Sequence, residues 1–217
     1  YGACYKLSIV MSLFIQAFKF AAEPYFFSKM KNADAKQTYA DVMSVYTLFL
    51  LTIFIGVMAY LDILQYFVGS EFRSGLKVVP VLLLANLCLG IYYNLSVWYK
   101  VSDKTIYGAY ISGIGAVITL ILNYLLVPHL GYMGAAWTTL ICYFSIMVIC
   151  WAFGQKFYPV KYPIKRLSLY TLLALVLVGA IICNPVANIV LKLLINTALL
   201  LVFVAVAYRF DVRKRLS

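Results

Sequence analysis

The stretch YKLSIVMSLFIQAFKFAAEPYFF, Tyr5 to Phe27, is long and apolar enough to cross a bilayer as a helix, yet Ser8, Ser12, Gln16, Lys19 and Glu23 recur through it at intervals of four, four, three and four. That spacing puts all five on one side. Lys19 lies about 14 residues in, roughly 21 Å along a helix, and an ionised side chain at such depth costs about 2.5 to 3.5 kcal/mol on insertion scales. The polar side is therefore expected to face a bundle interior or a watery cavity, with the other side facing lipid. A plainer alternative stands beside it. Lys19 and Glu23, four apart, can neutralise each other at a helix contact, and serines serve as small packing residues between membrane helices.

The 217 residues are 65% hydrophobic and 12% charged, with a mean hydropathy of +0.95, a balance outside that of ordinary soluble domains. We expect an all-α, polytopic helix bundle in the lipid bilayer. A net charge of +11 would suggest nucleic acid in a soluble chain. Here the basic residues sit in short connections between apolar runs, where they orient helices and touch anionic lipid, so no nucleic-acid partner is expected. Cys4, Cys88, Cys142, Cys150 and Cys183 lie in or beside apolar runs with no paired spacing, and His129 has no Cys, Asp or Glu cluster beside it. Neither a metal nor a cofactor is implied, and no phosphate-cradling G-x-x-x-x-G-K-[ST] loop is present. The chain opens on Tyr1 with no charged region or cleavage site ahead of its first apolar run, which reads as the interior and C-terminal part of a longer polypeptide.

Six further spans are expected at about 42–60, 76–99, 106–127, 135–153, 167–183 and 186–208, making about seven transmembrane helices. The span at 76–99 opens near Pro80 and carries Asn86, Gly90 and Tyr93 at helical spacing with Asn94 adjacent, a second polar side. The next carries Gly108, Ser112, Gly115, Thr119 and Asn123 as one stripe, read as close packing between helices with substrate contact as the alternative. PHLGYMG, residues 128–134, reads as a tight turn. The uncharged run at 167–183 suits a lipid-facing rim, and the last span carries Asn188, Lys192 and Asn196 four apart. Alternate connections and the tail hold Lys29, Lys31, Lys36, Lys100, Lys104, Lys156, Lys161, Lys165, Arg166, Arg209, Arg213, Lys214 and Arg215, which are 13 of the 18 basic residues. That side, with the C-terminus, is expected to be cytoplasmic and the first residue outside.

NYLLVPHLGYMGAAWTTLICY, Asn123 to Tyr143, resembles the N-x-x-L-I-P-x-x-G-x-x-G-A-A-x-A-T pattern of O-antigen or repeat-unit flippases in the multidrug/oligosaccharidyl-lipid/polysaccharide exporter superfamily. The matching positions are Asn123, Pro128, Gly131, Gly134, Ala135, Ala136 and Thr139. YGACYKL at the start resembles the G-x-Y-x-x-A-Y-K-L run ahead of that family's eighth helix, and Phe18, Pro24, Phe27 and Ser28 resemble the helix ending A-x-x-P-x-F-S. The resemblance implies helices eight to fourteen of a fourteen-helix, two-lobed transporter. Residues 1–157 would then be most of the C-terminal six-helix lobe and residues 158–217 an appended two-helix hairpin with a basic tail. It also implies a bacterial cytoplasmic (inner) membrane protein whose partners are a lipid-linked oligosaccharide and the N-terminal half of the same polypeptide, working by alternating access in polysaccharide or lipopolysaccharide biosynthesis.

A sugar carrying a pyrophosphate cannot enter hydrocarbon, so its carrier needs a polar, preferably cationic lumen. The candidate path residues are Ser12, Gln16, Lys19, Glu23, Asn86, Tyr93 and Asn94. Lys19 supplies the cation, Gln16, Asn86 and Asn94 offer hydrogen bonds to hydroxyls, and Tyr92 or Tyr93 offers a ring for stacking. Two other readings compete. A cation-coupled multidrug exporter of the same superfamily would want acidic residues inside the lobe, where Glu23 is the only carboxylate well inside a span. A membrane-embedded glycan polymerase or ligase would need a sizeable exported loop with acid, base or phosphate-gripping groups, and the connections on that side are short. No enzyme activity is expected.

Overall fold

In hydrocarbon every backbone N–H and C=O must be satisfied within its own segment, so uninterrupted apolar runs of about twenty residues fold as helices. The computed structural model describes residues 2–67, 69–186 and 188–209, and the side chains of all of these except 2–7, 71, 72 and 74. Tyr1, Arg213, Lys214 and Arg215 lie outside the described residues, as do the side chains of Cys4, Tyr5 and Lys6. The helices are α1 (Gly2–Lys29), α2 (Ala35–Ala59), α3 (Leu61–Leu64), α4 (Val79–Leu95), α5 (Val97–Val101), α6 (Ile106–Leu130), α7 (Tyr132–Phe157), α8 (Ile164–Ile182) and α9 (Ile189–Ala207), with two 3-10 segments, Gln65–Phe67 and Ser70–Val78, between α3 and α4. No strand occurs among the described residues. Among the described residues six segments are long and apolar enough to cross a membrane: α2, Gly75–Val101 around α4 and α5, α6, α7, α8 and α9. The 28-residue α1 is long enough to cross as well. The protein is an all-α, multi-pass membrane helix bundle.

The helices alternate in direction, which gathers the basic connections at one end. Lys36 Nζ lies 4.8 Å from the centre of the Tyr158 ring and Lys104 Nζ 4.2 Å from that of Phe157, so the links at 30–34, 102–105 and 158–163 meet there. Burial pushes the phenols of Tyr158 and Tyr162 in this region above their ordinary pKa, leaving them as neutral packing groups.

The packing centre is α2, which touches α1, α4, α8 and α9. Leu50, Leu51, Phe54 and Ile55 are at most 1% exposed, and they share one apolar cluster with Met11 and Ile15 of α1, Leu82 and Leu83 of α4, Ala174 of α8 and Phe203 of α9. A second cluster, rich in aromatic rings, joins α4 and α5 to α6 and α7 through Tyr92, Trp98, Tyr99, Ile111 and Ile146. The α8–α9 hairpin is held to the end of α2 by polar contacts. Asn196 Nδ2 donates to the Ala59 carbonyl at 3.1 Å and its Oδ1 accepts from Asn184 at 3.2 Å. Lys192 pairs with Asp62 at 2.7 Å, and the Tyr60 and Thr197 hydroxyls are 2.9 Å apart. Ala59 is the last residue of α2, so Asn196 caps a carbonyl that the helix itself cannot satisfy. Asn188, the third polar residue of that row, caps the start of α9 by accepting from the Val190 and Leu191 amides.

Three local expectations shift. The turn expected over 128–134 shrinks to a single residue. Helix α6 runs through Pro128 to Leu130, and only Gly131, with φ of +55° and ψ of −134°, leaves the helical region, a conformation that favours glycine. Gly134 belongs to the first turn of α7, where an added Cβ would sit 2.5 Å from the Leu126 carbonyl oxygen. The described part of the connection at 62–75 is one α-helical turn and two 3-10 segments, and α8, expected on a lipid-facing rim, buries Tyr170, Ala174, Leu177, Val178 and Ile181 along one face. Helices α6 and α9 expose more of themselves, with 11% of each span buried.

Gly134→Val is expected to destabilise the protein by about 1–3 kcal/mol, because backbone cannot move aside as a side chain can. Gly113→Ala in α6, whose new methyl meets nothing within 4 Å, is expected to stay within about 0.5 kcal/mol. Thermal unfolding in detergent checks both, and equal midpoints would contradict the close α6–α7 approach.

Candidate functional site

Helices α1 and α4–α5 run side by side in the same direction, and their polar residues meet in order. The Asn86 amide donates to the Ser8 carbonyl at 3.2 Å. One turn further along α4, Gly90 brings the backbone against both neighbours: a Cβ there would be 2.5 Å from Leu50 Cδ1, 3.1 Å from the Tyr46 hydroxyl and 3.4 Å from Ile15 Cγ1. Next, Lys19 Nζ sits 5.1 Å from the centre of the Tyr93 ring, a cation–π contact. Phe18 beside it stacks on Tyr46 with ring centres 3.6 Å apart. At the far end Glu23 pairs with Lys100 of α5.

This geometry gives Glu23 a partner other than the one four residues away. Glu23 is neutralised by Lys100, not by Lys19, and among the described residues Lys19 has no carboxylate partner. Lys19 and Tyr93 come together as path candidates, both half-buried. Ser12 is half-buried at the flank of the seam and Gln16 is exposed. Asn86, 3% exposed, is used in the helix contact. Asn94 is 1% exposed and neither of its amide atoms has a hydrogen-bond partner, and the buried Tyr46 hydroxyl is likewise unpaired. Each such group costs about 1–3 kcal/mol, so the seam holds polar capacity that packing alone does not use. Tyr92, the other stacking candidate, is buried with its hydroxyl 3.5 Å from that of Tyr99, which leaves Tyr93 in that place.

A groove of 740 Å3 opens elsewhere, between α2, α4, α7 and α8. None of the seven path candidates lines it, and its wall is apolar apart from Thr47, Tyr162, Ser168 and Thr171. A cationic lumen was expected; the groove is greasy, and the cation stands at the α1–α4 seam.

The residues of the α6–α7 motif shape a helix junction. Gly131 makes the turn and Gly134 the close approach. Ala136 is buried, Asn123 and Ala135 are half-buried, Pro128 is exposed, and Thr139 donates to its own helix at the Ala135 carbonyl at 2.9 Å. The α6 stripe packs as expected at Gly115, whose carbonyl accepts from Cys142 Sγ at 3.3 Å.

Lys100 was missed by sequence reasoning, which counted it as a basic residue of a connection. No spacing rule links it to Glu23, 77 positions away; the available signal was an acid deep in one span and a base at the edge of another.

A double-mutant cycle over Glu23→Gln and Lys100→Met, read by thermal unfolding, is expected to give a coupling of about 0.5–3 kcal/mol. The cycle over Lys19→Met and Glu23→Gln is expected to stay within about 0.5 kcal/mol of additivity. The reverse order would return Glu23 to Lys19.

Comparison with known proteins found no matching family model, no matching curated protein and no matching solved structure.

Proposed function

We propose that this chain is the C-terminal half of a flippase of the multidrug/oligosaccharidyl-lipid/polysaccharide exporter superfamily, moving a lipid-linked oligosaccharide or polysaccharide repeat unit across the bacterial cytoplasmic membrane by alternating access. The observation that carries the reading is Lys19, a cation well inside a membrane-length helix, seated on Tyr93 with no carboxylate partner among the described residues. A lone cation at that depth is costly unless it serves a pathway or a ligand, and a pyrophosphate-bearing glycan is an anion with hydroxyls. Tyr93 offers a face for a sugar ring, and the motif at the α6–α7 junction supports the family. The remaining half of the cavity wall would come from the N-terminal half of the same polypeptide, and the basic end with the C-terminus would be cytoplasmic.

The cation-coupled drug exporter is less well supported, because its carboxylates are committed: Glu23 to Lys100 and Asp62 to Lys192. A polymerase or ligase is less well supported, since among the described residues the links at the end opposite the basic one are short: the segment between α2 and α4, Gly131, and the link between α8 and α9.

In the whole polypeptide, Lys19→Ala is expected to slow repeat-unit translocation in membrane vesicles by roughly 10- to 100-fold, the loss of one charge-assisted bond to the substrate. Lys19→Arg is expected to retain most activity. Unchanged transport by a normally produced Lys19→Ala protein would remove the basis of the reading.

A further inference from the structure

The groove between α2, α4, α7 and α8 plays no part in the reading above. Its 740 Å3 falls within the ~300–1,000 Å3 of ligand sites, and Leu87 and Ile91 of α4, Phe144 and Met147 of α7 and Leu172 of α8 make its wall. The chemistry changes at one end. Trp151, Tyr162 and Ser168 line the groove where α7 stops and α8 begins, and the exposed Lys161 and Lys165 flank Tyr162 and Ser168 in sequence. Lys165 precedes Ser168 by three and Leu172 by seven, so helix geometry sets it on that edge of the groove. Residues 154–168 contain four basic residues and no acidic one.

An apolar trough, then tryptophan and tyrosine, then lysine repeats the profile of one leaflet from acyl chain to headgroup. We propose that this groove holds an anionic phospholipid, with an acyl chain along the α4–α7–α8 wall and its phosphate at Lys161 and Lys165. A free phosphate would gain nothing from the apolar wall, and a zwitterionic lipid would gain little from the two lysines. The occupant is a resident lipid of the surrounding leaflet, so the inference does not depend on what the protein carries.

Trp151 reports on the site. It is 37% exposed, Trp98 is buried at 3%, and the exposed Trp137 is removed by Trp137→Phe. That variant is reconstituted in phosphatidylcholine vesicles containing an equal fraction of either acyl-brominated phosphatidylglycerol or acyl-brominated phosphatidylcholine, and tryptophan quenching is measured. The anionic quencher is expected to show an apparent affinity at least about fivefold higher, the worth of one lysine near an anionic headgroup. Adding Lys161→Ala and Lys165→Ala is expected to bring the ratio to one. Should that protein insert poorly, Lys165→Gln alone must lower the ratio. Equal quenching by both lipids would mean annular lipid only, and no quenching by either would mean that a polypeptide covers the groove. Either result, or a preference that survives loss of the lysines, overturns the proposal.

Discussion

A charged group well inside an apolar helix has to be met by protein, water or an opposite charge, and α1 holds two such groups away from its ends, Lys19 and Glu23. Glu23 is met by Lys100 and Lys19 by the face of Tyr93. Both partners belong to α4–α5, so the polar stripe can be satisfied only if that helix lies alongside α1 in the same direction and in register. Gly90 lets α4 also press against α2, because a Cβ there would sit 2.5 Å from Leu50 Cδ1 and 3.1 Å from the Tyr46 hydroxyl, while Ile15 of α1 lies at ordinary contact distance. The hydrogen bond from Asn86 to the Ser8 carbonyl then sets the register at the other end.

Lipid tails are as apolar as leucine, so close packing and a few hydrogen bonds must hold the rest of the bundle. Helix α2 supplies the packing, with four helices against it. The hairpin adds the bonds: Asn196 on the Ala59 carbonyl, Tyr60 on Thr197 and Lys192 on Asp62. The row Asn188, Lys192, Asn196 therefore does two local jobs, starting α9 and fastening it to α2.

Helix α4 separates two chemistries. Asn86, Gly90 and Tyr93 face the α1–α2 side, while Leu84, Leu87, Cys88, Ile91 and Leu95, also at helical spacing, line the groove toward α7 and α8. The cationic seam and the apolar trough are thus two sides of one helix.

Hydrophobic run length determined the helix count to within the status of α1, and the placement of lysines between runs determined which end of the bundle is basic, because hydrocarbon punishes exposed backbone and charge wherever they fall in a chain. The period of α1 and α4 marked the polar sides, and the motif at Gly131 and Gly134 marked a junction, though its one-residue turn was not legible: proline inside a membrane helix is tolerated once neighbours satisfy the freed carbonyl. Which polar group meets which was decided only by the fold. Glu23 had an apparent partner at Lys19, four residues off, and found a better one at Lys100 because two helices distant in sequence became parallel neighbours. The groove arose in the same way, since a concavity belongs to several helices together and leaves no periodic trace in any of them.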